Sequence, residues 1–277
     1  MTSALFIMLL VLSLYACFLP GFSDGLHYIL YPDFSKITSK GILQALSLAL
    51  FTLSLSYGVM ITYGSYLKKE DDIPKTAFIV LIANLIASIM IAITIFPMIF
   101  SFGFEPQAGE GLIFKTLPYV FEQLPCSMLL SIIFFTLLLF AALTSSISMF
   151  EVVVANFIDL LKISRLKSLL FTSFIVVVIG LPNAFMGKKG LFDSWDNIFS
   201  QTFMQTNTDI VDWLLVIIAL LTTIFIAFIV NKNDLKQEFI LGTKFSFLYG
   251  LWIFLMKTIV PLSIIVVILE RFKIISL

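Results

Sequence analysis

FTLSLSYGV, residues 51–59, lies in the middle of an apolar run that extends from Ile42 to Leu67. Thr52, Ser54, Ser56, Tyr57 and Gly58 crowd into seven consecutive positions there. Within hydrocarbon every backbone N–H and C=O needs a partner. A helix can therefore break only where the freed groups are buried in protein or line a polar cavity. Singly, Ser, Thr and Gly serve close packing between membrane helices. Clustered in mid-run, they favour a helix that stops and restarts. The N-terminus of its second half then suits an anionic group, and its loose carbonyls suit a cation.

The premise that this run lies in a membrane comes from composition. The chain of 277 residues is 60% hydrophobic and 12% charged, with 30 Phe, and its mean hydropathy is +1.08. Soluble domains are about half apolar and about a quarter charged, so the sequence reads as a polytopic membrane protein. Its 17 basic and 17 acidic residues cancel, which gives no basis for nucleic-acid binding. Cys17 and Cys126 lie in or beside apolar runs, which argues against a disulfide framework. The lone His27 reads as an ordinary loop residue. No basic residue precedes the first apolar run and no clear small-residue cleavage site follows it, so it reads as a retained span.

A span takes about 20 apolar residues. Seven runs qualify: Ala4–Leu19, Ile42–Leu67, Ala77–Phe100, Met128–Leu160, Leu169–Phe185, Ile210–Val230 and Leu248–Leu269. The fourth is too long for one crossing and is expected to project past the membrane surface. The loops alternate sides. Lys68, Lys69, Lys75, Lys162, Arg165, Lys167, Lys232, Lys236 and Lys244 fall on one side. Lys36, Lys40, Lys115, Lys188, Lys189, Arg271 and Lys273 fall on the other. Nine against seven is a small bias that places the first set in the cytoplasm. The 101–127 loop carries GEGLIFKTLPYVF, a short apolar segment bounded by Gly and Pro, which is expected to dip back onto the bundle.

Two further polar clusters interrupt the spans. In FAALTSSISMFE (140–151), Ala141, Thr144 and Ser145 share one helix face, with Met149 a turn further on. Two hydroxyls and a carbonyl form an all-oxygen patch suited to a hard cation, although Ser and Thr on a helix face serve packing more often. Asn84 sits in FIVLIANLIASIMIAITIF, with Ser88 one turn later. An amide there marks either a pathway or an interhelical hydrogen bond.

In order and spacing, FTLSLSYGVMITYGSYLKKEDDI, the Asn84 span, GEGLIFKTLP, FAALTSSISMFE and LFDSWD resemble the neurotransmitter:sodium symporter family of sodium-coupled transporters, in its bacterial form. LMKTIVP (255–261) resembles the start of the family's eleventh helix. The resemblance covers nearly the whole chain and implies an all-α polytopic fold. That fold is the second inverted repeat of the LeuT-like architecture plus one further helix. About seven transmembrane helices (helices five to eleven) form a single transmembrane domain over 1–277, with the broken helix at 42–67 and its unwound joint at 51–55.

The resemblance also implies roles. Thr52 and Asn84 would belong to a first sodium site, and Ala141 through its carbonyl, Thr144 and Ser145 to a second. Phe51, Ser54, Tyr57, Ser145 and Met149 would line a substrate pocket, with Phe51 as its lid, and Asp196 would be the acidic half of a gate. Three departures bear on this. Ser56 stands where the bacterial pattern has Gly, which would narrow the pocket or alter the joint. Ser88 stands where chloride-dependent members carry Ser and chloride-independent ones Glu, yet Leu48 replaces the Gln that helps hold chloride. These signals oppose one another, and both readings of Cl− remain open. Residues 197–212 form a stretch longer than the family's tenth helix needs, which the resemblance does not explain.

Of the family's first repeat, helices one to five, only a helix five cut short at its N-terminus has a counterpart here, so the resemblance implies a polypeptide partner that carries helices one to five. The function implied is Na+-coupled symport of an amino acid or related small amine by alternating access across the cell membrane. The alternative is a non-transporting remnant or membrane scaffold of the same family. No acid–base pair or metal motif occurs within a span, and the sequence is not read as an enzyme. Lys257 is read as a snorkelling Lys near the cytoplasmic end of helix eleven.

Overall fold

The computed structural model describes residues 2–31, 33–68, 70–104, 112–184 and 203–271. These residues are helical throughout their regular structure. In chain order the α-helices are α1 (Thr2–Ala16), α2 (Phe22–Leu30), α3 (Ser39–Thr52), α4 (Val59–Gly64), α5 (Ile73–Ser101) and α6 (Leu117–Glu122). They continue as α7 (Ser127–Leu161), α8 (Arg165–Ala184), α9 (Phe203–Ile224), α10 (Lys232–Ile240), α11 (Tyr249–Lys257) and α12 (Ile259–Arg271). A π-helical turn, Leu112–Thr116, leads into α6, and another, Phe225–Ile229, closes α9.

By length and composition, Ile73–Ser101, Ser127–Leu161, Thr206–Ile229 and Ser246–Glu270 can each cross a membrane. α7 has 35 residues. At about 1.5 Å per residue that exceeds the roughly 30 Å of hydrocarbon, as expected of the fourth run. α8 exposes Phe174 (66%), Val177 (55%) and Ile179 (60%). Residues Asn207–Asp212, in the stretch the sequence left unexplained, form the early turns of α9.

The chain divides into two compact units. The first comprises residues 1–37 and 78–147. Its core gathers Leu12 and Ala16 of α1, Met98 of α5, Leu117, Val120 and Phe121 of α6, and Leu130 and Phe134 of α7. The apolar segment of the 101–127 loop thus packs into the core, as its Gly and Pro punctuation suggested. Tails and side chains are equally apolar, so packing and hydrogen bonds hold such helices together. α1 and α5 are joined this way at Ser13, whose Oγ lies 2.8 Å from Thr94 Oγ1, both buried, and 3.2 Å from the Met90 carbonyl.

Backbones meet where α2 crosses α5. Gly21 and Gly25 are four residues apart, and a Cβ on Gly25 would stand 2.6 Å from Pro97 N. Pro97 interrupts the α5 hydrogen-bond ladder. Nearby, the Gly21 N–H donates to Ser101 Oγ at 2.9 Å, and the Ser101 hydroxyl donates to the Pro97 carbonyl at 2.6 Å.

The second unit comprises residues 38–77 and 148–277. Val216 and Ala219 of α9 pack with Ile264 and Val267 of α12, and Leu46 and Leu50 of α3 close against them. The first half of the broken helix is thereby anchored on α9 and α12. α11 and α12 form one membrane crossing with a break at Thr258 (φ −122, ψ −70). Pro261 has no N–H to give the Lys257 carbonyl, which favours the break. Lys257 is half-buried at the end of α11.

Candidate functional site

The apolar run 42–67 is a broken helix. α3 ends at Thr52, α4 begins at Val59, and six residues, Leu53–Gly58, separate them. The break therefore sits two residues later than the expected joint at 51–55. Phe51 and Thr52 remain helical because the Leu53 N–H still reaches the Ala49 carbonyl at 3.1 Å. The Thr52 hydroxyl donates to the Leu48 carbonyl. Beyond them the ladder fails. The Ser54 N–H turns to Phe51 O at 3.0 Å and the Leu55 N–H to Leu50 O at 3.3 Å.

Two left-handed residues fall in the break. Ser54 has φ 52 and Gly58 has φ 75. The left-handed region costs about 1–2 kcal/mol at a non-Gly residue, and nothing at Gly beyond its entropy. Gly58 is the residue on which α4 restarts, and no side chain caps it there. The last carbonyls of α3 and the first N–H groups of α4 are thus outside helical bonding.

Of the predicted side chains, Phe51, Ser54 and Tyr57 lie in or beside the break. The Phe51 and Tyr57 rings meet edge to face at 5.8 Å. Ser54 and Tyr57 are half-buried, and Phe51 is 48% exposed. Ser56, the departure from the bacterial pattern, is 1% exposed, and its hydroxyl has no hydrogen-bond partner among the described residues. Such a group costs about 1–3 kcal/mol unless something satisfies it. α9 brings Asp212 into electrostatic reach of Tyr57, a neighbour the sequence did not suggest.

α7 carries the second cluster on one unbroken helix. The Thr144 hydroxyl donates to the Ala141 carbonyl at 2.9 Å, a bond within the helix. Ser145 and Met149 are exposed and follow at helical spacing on the same face. Asn84, half-buried, and Ser88, exposed, lie one turn apart on α5. Thr52 belongs to the second unit and Asn84 to the first. Asp196 lies outside the described residues.

Sequence reasoning missed a polar seam. Glu151 of α7 accepts from Arg165 Nη1 at 2.9 Å and Nη2 at 2.6 Å, a bidentate pair. The Tyr66 hydroxyl donates to Glu151 at 2.9 Å, and Tyr63 donates to Ser148 at 2.8 Å. The hydrogen bonds to Glu151, and then the carboxylate's charge, raise the Arg165 guanidinium above its ordinary pKa. α4 and the turn after it are thus tied to α7 and α8. Glu151 is a carboxylate near the end of an apolar helix, and that was the available signal. Glu151→Gln removes the charge and one acceptor oxygen. Amide hydrogen exchange across residues 59–67 is expected to quicken several-fold, with α9 unchanged; equal exchange in both proteins would show that the seam does not hold α4.

A broken helix in a chain with several helices long and apolar enough to cross a membrane defines a class: a multi-pass membrane protein with a discontinuous helix. Residues 1–276 match the Sodium:neurotransmitter symporter family, and the chain belongs to that family. It is 37% identical over its full length to the sodium-dependent transporter YhdH of Bacillus subtilis, of which it covers 61%. A sodium-dependent transporter of Haemophilus influenzae is 36% identical, with 96% of this chain and 58% of that protein covered. The crystal structure of MhsT in complex with L-phenylalanine superposes with a TM-score of 0.80 and 30% identity. That match covers 96% of this chain and 60% of MhsT. The chain thus spans about three-fifths of the length of these three proteins.

Proposed function

We propose that the chain is the helix five-to-eleven part of a sodium-coupled symporter for an amino acid or related small amine in the cytoplasmic membrane. It would act with a polypeptide that carries helices one to five. The observation that carries this reading is the break at Leu53–Gly58 in a membrane helix, within a chain whose relatives bear the name sodium-dependent transporter. The phenylalanine bound in MhsT supports an amino acid as the class of substrate.

In this reading Thr52 and Asn84 serve one Na+, and the Ala141 carbonyl, Thr144 and Ser145 serve another. Phe51, Ser54, Tyr57, Ser145 and Met149 line the substrate site, with Phe51 as a lid. Sodium binding orders the segment between α3 and α4, and the ordered segment completes the substrate site. The inward sodium gradient then drives uptake by alternating access. Asp196 acts in the gate, and Ser88 is the position at which chloride would be held.

The experiment is co-expression with helices one to five of a close relative, followed by uptake of labelled amino acids in sodium and in choline medium. Uptake is expected in sodium and at background in choline. Uptake indifferent to sodium would contradict the reading, and no uptake in either medium would favour a remnant or scaffold.

A further inference from the structure

We propose that α10 and the turn after it form a headgroup site for an anionic phospholipid at the membrane surface. α10 lies between two crossings, Thr206–Ile229 and Ser246–Glu270, so it sits at the one membrane face where the first ends and the second begins. Its nine residues, KNDLKQEFI, are too polar to enter hydrocarbon.

The charges on α10 are segregated. Lys232 and Lys236 are one turn apart, while Asp234 and Glu238 are displaced by two residues, about 200° around the helix. Leu235 and Phe239, both half-buried, lie on the basic side. The Phe239 ring stands 5.1 Å from Trp252 and 5.4 Å from Tyr249, at the start of the next crossing. Trp and Tyr concentrate at the headgroup level of a bilayer. The aromatic trio therefore sets the depth of α10.

Beside this aromatic trio is an open cavity of ≈ 630 Å³, lined by Asn233, Lys236, Gln237, Ile240, Leu241 and Gly242. Among the described residues the lining holds one ammonium, two carboxamides and two aliphatic side chains and no carboxylate, with the backbone of Glu70 and Asp71 bordering Gly242. The far wall is fixed in place. Gly242 is left-handed (φ 71), and a Cβ there would stand 2.8 Å from the Glu70 carbonyl, so the turn is pressed onto the backbone at residue 70. An ammonium flanked by amide donors suits a phosphodiester. Ile240 and Leu241 suit the glycerol and first acyl carbons, which a free phosphate lacks. Anionic lipid attracts a Lys at this depth.

The test uses the purified full chain in neutral detergent. Thermal unfolding is followed on titration with phosphatidylglycerol, phosphatidylcholine or inorganic phosphate, and native mass spectrometry counts retained lipid. Phosphatidylglycerol is expected to raise Tm saturably and to be retained, and the other two are not. Lys236→Gln should weaken that effect about fivefold, the scale of one charge at an anionic surface. Lys236→Glu should weaken it further, and Lys167→Gln, on another loop, should leave it unchanged. Lys236 is exposed, so the Gln variant keeps the test valid if the Glu variant folds poorly. Equal stabilisation by phosphatidylcholine or by inorganic phosphate overturns the proposal. So does undiminished phosphatidylglycerol binding in the Lys236→Gln protein.

Discussion

Replacing Thr144 by Val together with Ser145 by Ala is expected to raise the sodium concentration for half-maximal uptake by about 100-fold, on the scale of two charge-assisted interactions worth roughly 1.5 kcal/mol each. Val keeps the shape of Thr and Ala keeps the helix, so α7 should still form. Only the oxygens are removed. In the native chain the Thr144 hydroxyl donates to the Ala141 carbonyl at 2.9 Å. A hydroxyl that donates its proton in this way keeps the acceptor side that a cation ligand needs. The measurement is the initial rate of uptake against sodium concentration, with helices one to five co-expressed. A double variant with an unchanged sodium curve removes these residues from the ion path. A variant that loses uptake at every sodium concentration is separated from misfolding by the thermal midpoint of the purified chain.

The largest effect on stability is expected from Gly25→Val. A Cβ at Gly25 would lie 2.6 Å from Pro97 N and 2.8 Å from Pro97 Cα and Cδ. These are backbone and ring atoms, and they cannot move aside. α2 must lift from α5, which separates the Tyr28 ring from Phe96, now at 4.9 Å, and from Phe100, now at 5.5 Å. It would also strain the Gly21 N–H bond to Ser101. The cost is expected at about 3 kcal/mol or more, the upper range for overpacking. The readout is the unfolding midpoint in detergent and the yield of monodisperse protein. Gly180→Ala is the control, since nothing lies within 4 Å of its Cβ position and Ala is the better helix former. A Gly25→Val protein as stable as the control would mean that α2 does not pack on α5 this closely.

Four of the seven expected spans, the overlong α7, the segment folded back between α5 and α7, and the existence of the break were legible, because hydropathy and polar interruptions are local properties. The position of the break was legible only to within two residues. Thr52 looks like a breaking residue, but its hydroxyl can bond back to the Leu48 carbonyl and keep the helix turning. Gly58, with its positive φ, decides where the helix restarts. The seam through Glu151 was not legible, because its partners lie 14 and 85 residues away in sequence. The Gly21–Gly25 crossing was present as GFSDG, yet the spacing of two glycines does not say which helix they admit. The roles of Thr52, Asn84, Thr144 and Ser145 came from resemblance, and composition alone would have left them as packing residues.

The central claim is that sodium organises the segment between α3 and α4 into a substrate site. The direct test combines Ser54→Cys with Cys17→Ser and Cys126→Ser, in the chain co-expressed with helices one to five. The rate of modification by a membrane-impermeant thiol reagent is then measured in choline, in sodium, and in sodium with the transported amino acid. A fourth condition, the amino acid in choline, completes the set. The account predicts that sodium changes the rate and that the amino acid protects the introduced thiol only when sodium is present. Equal rates in all four conditions would contradict it.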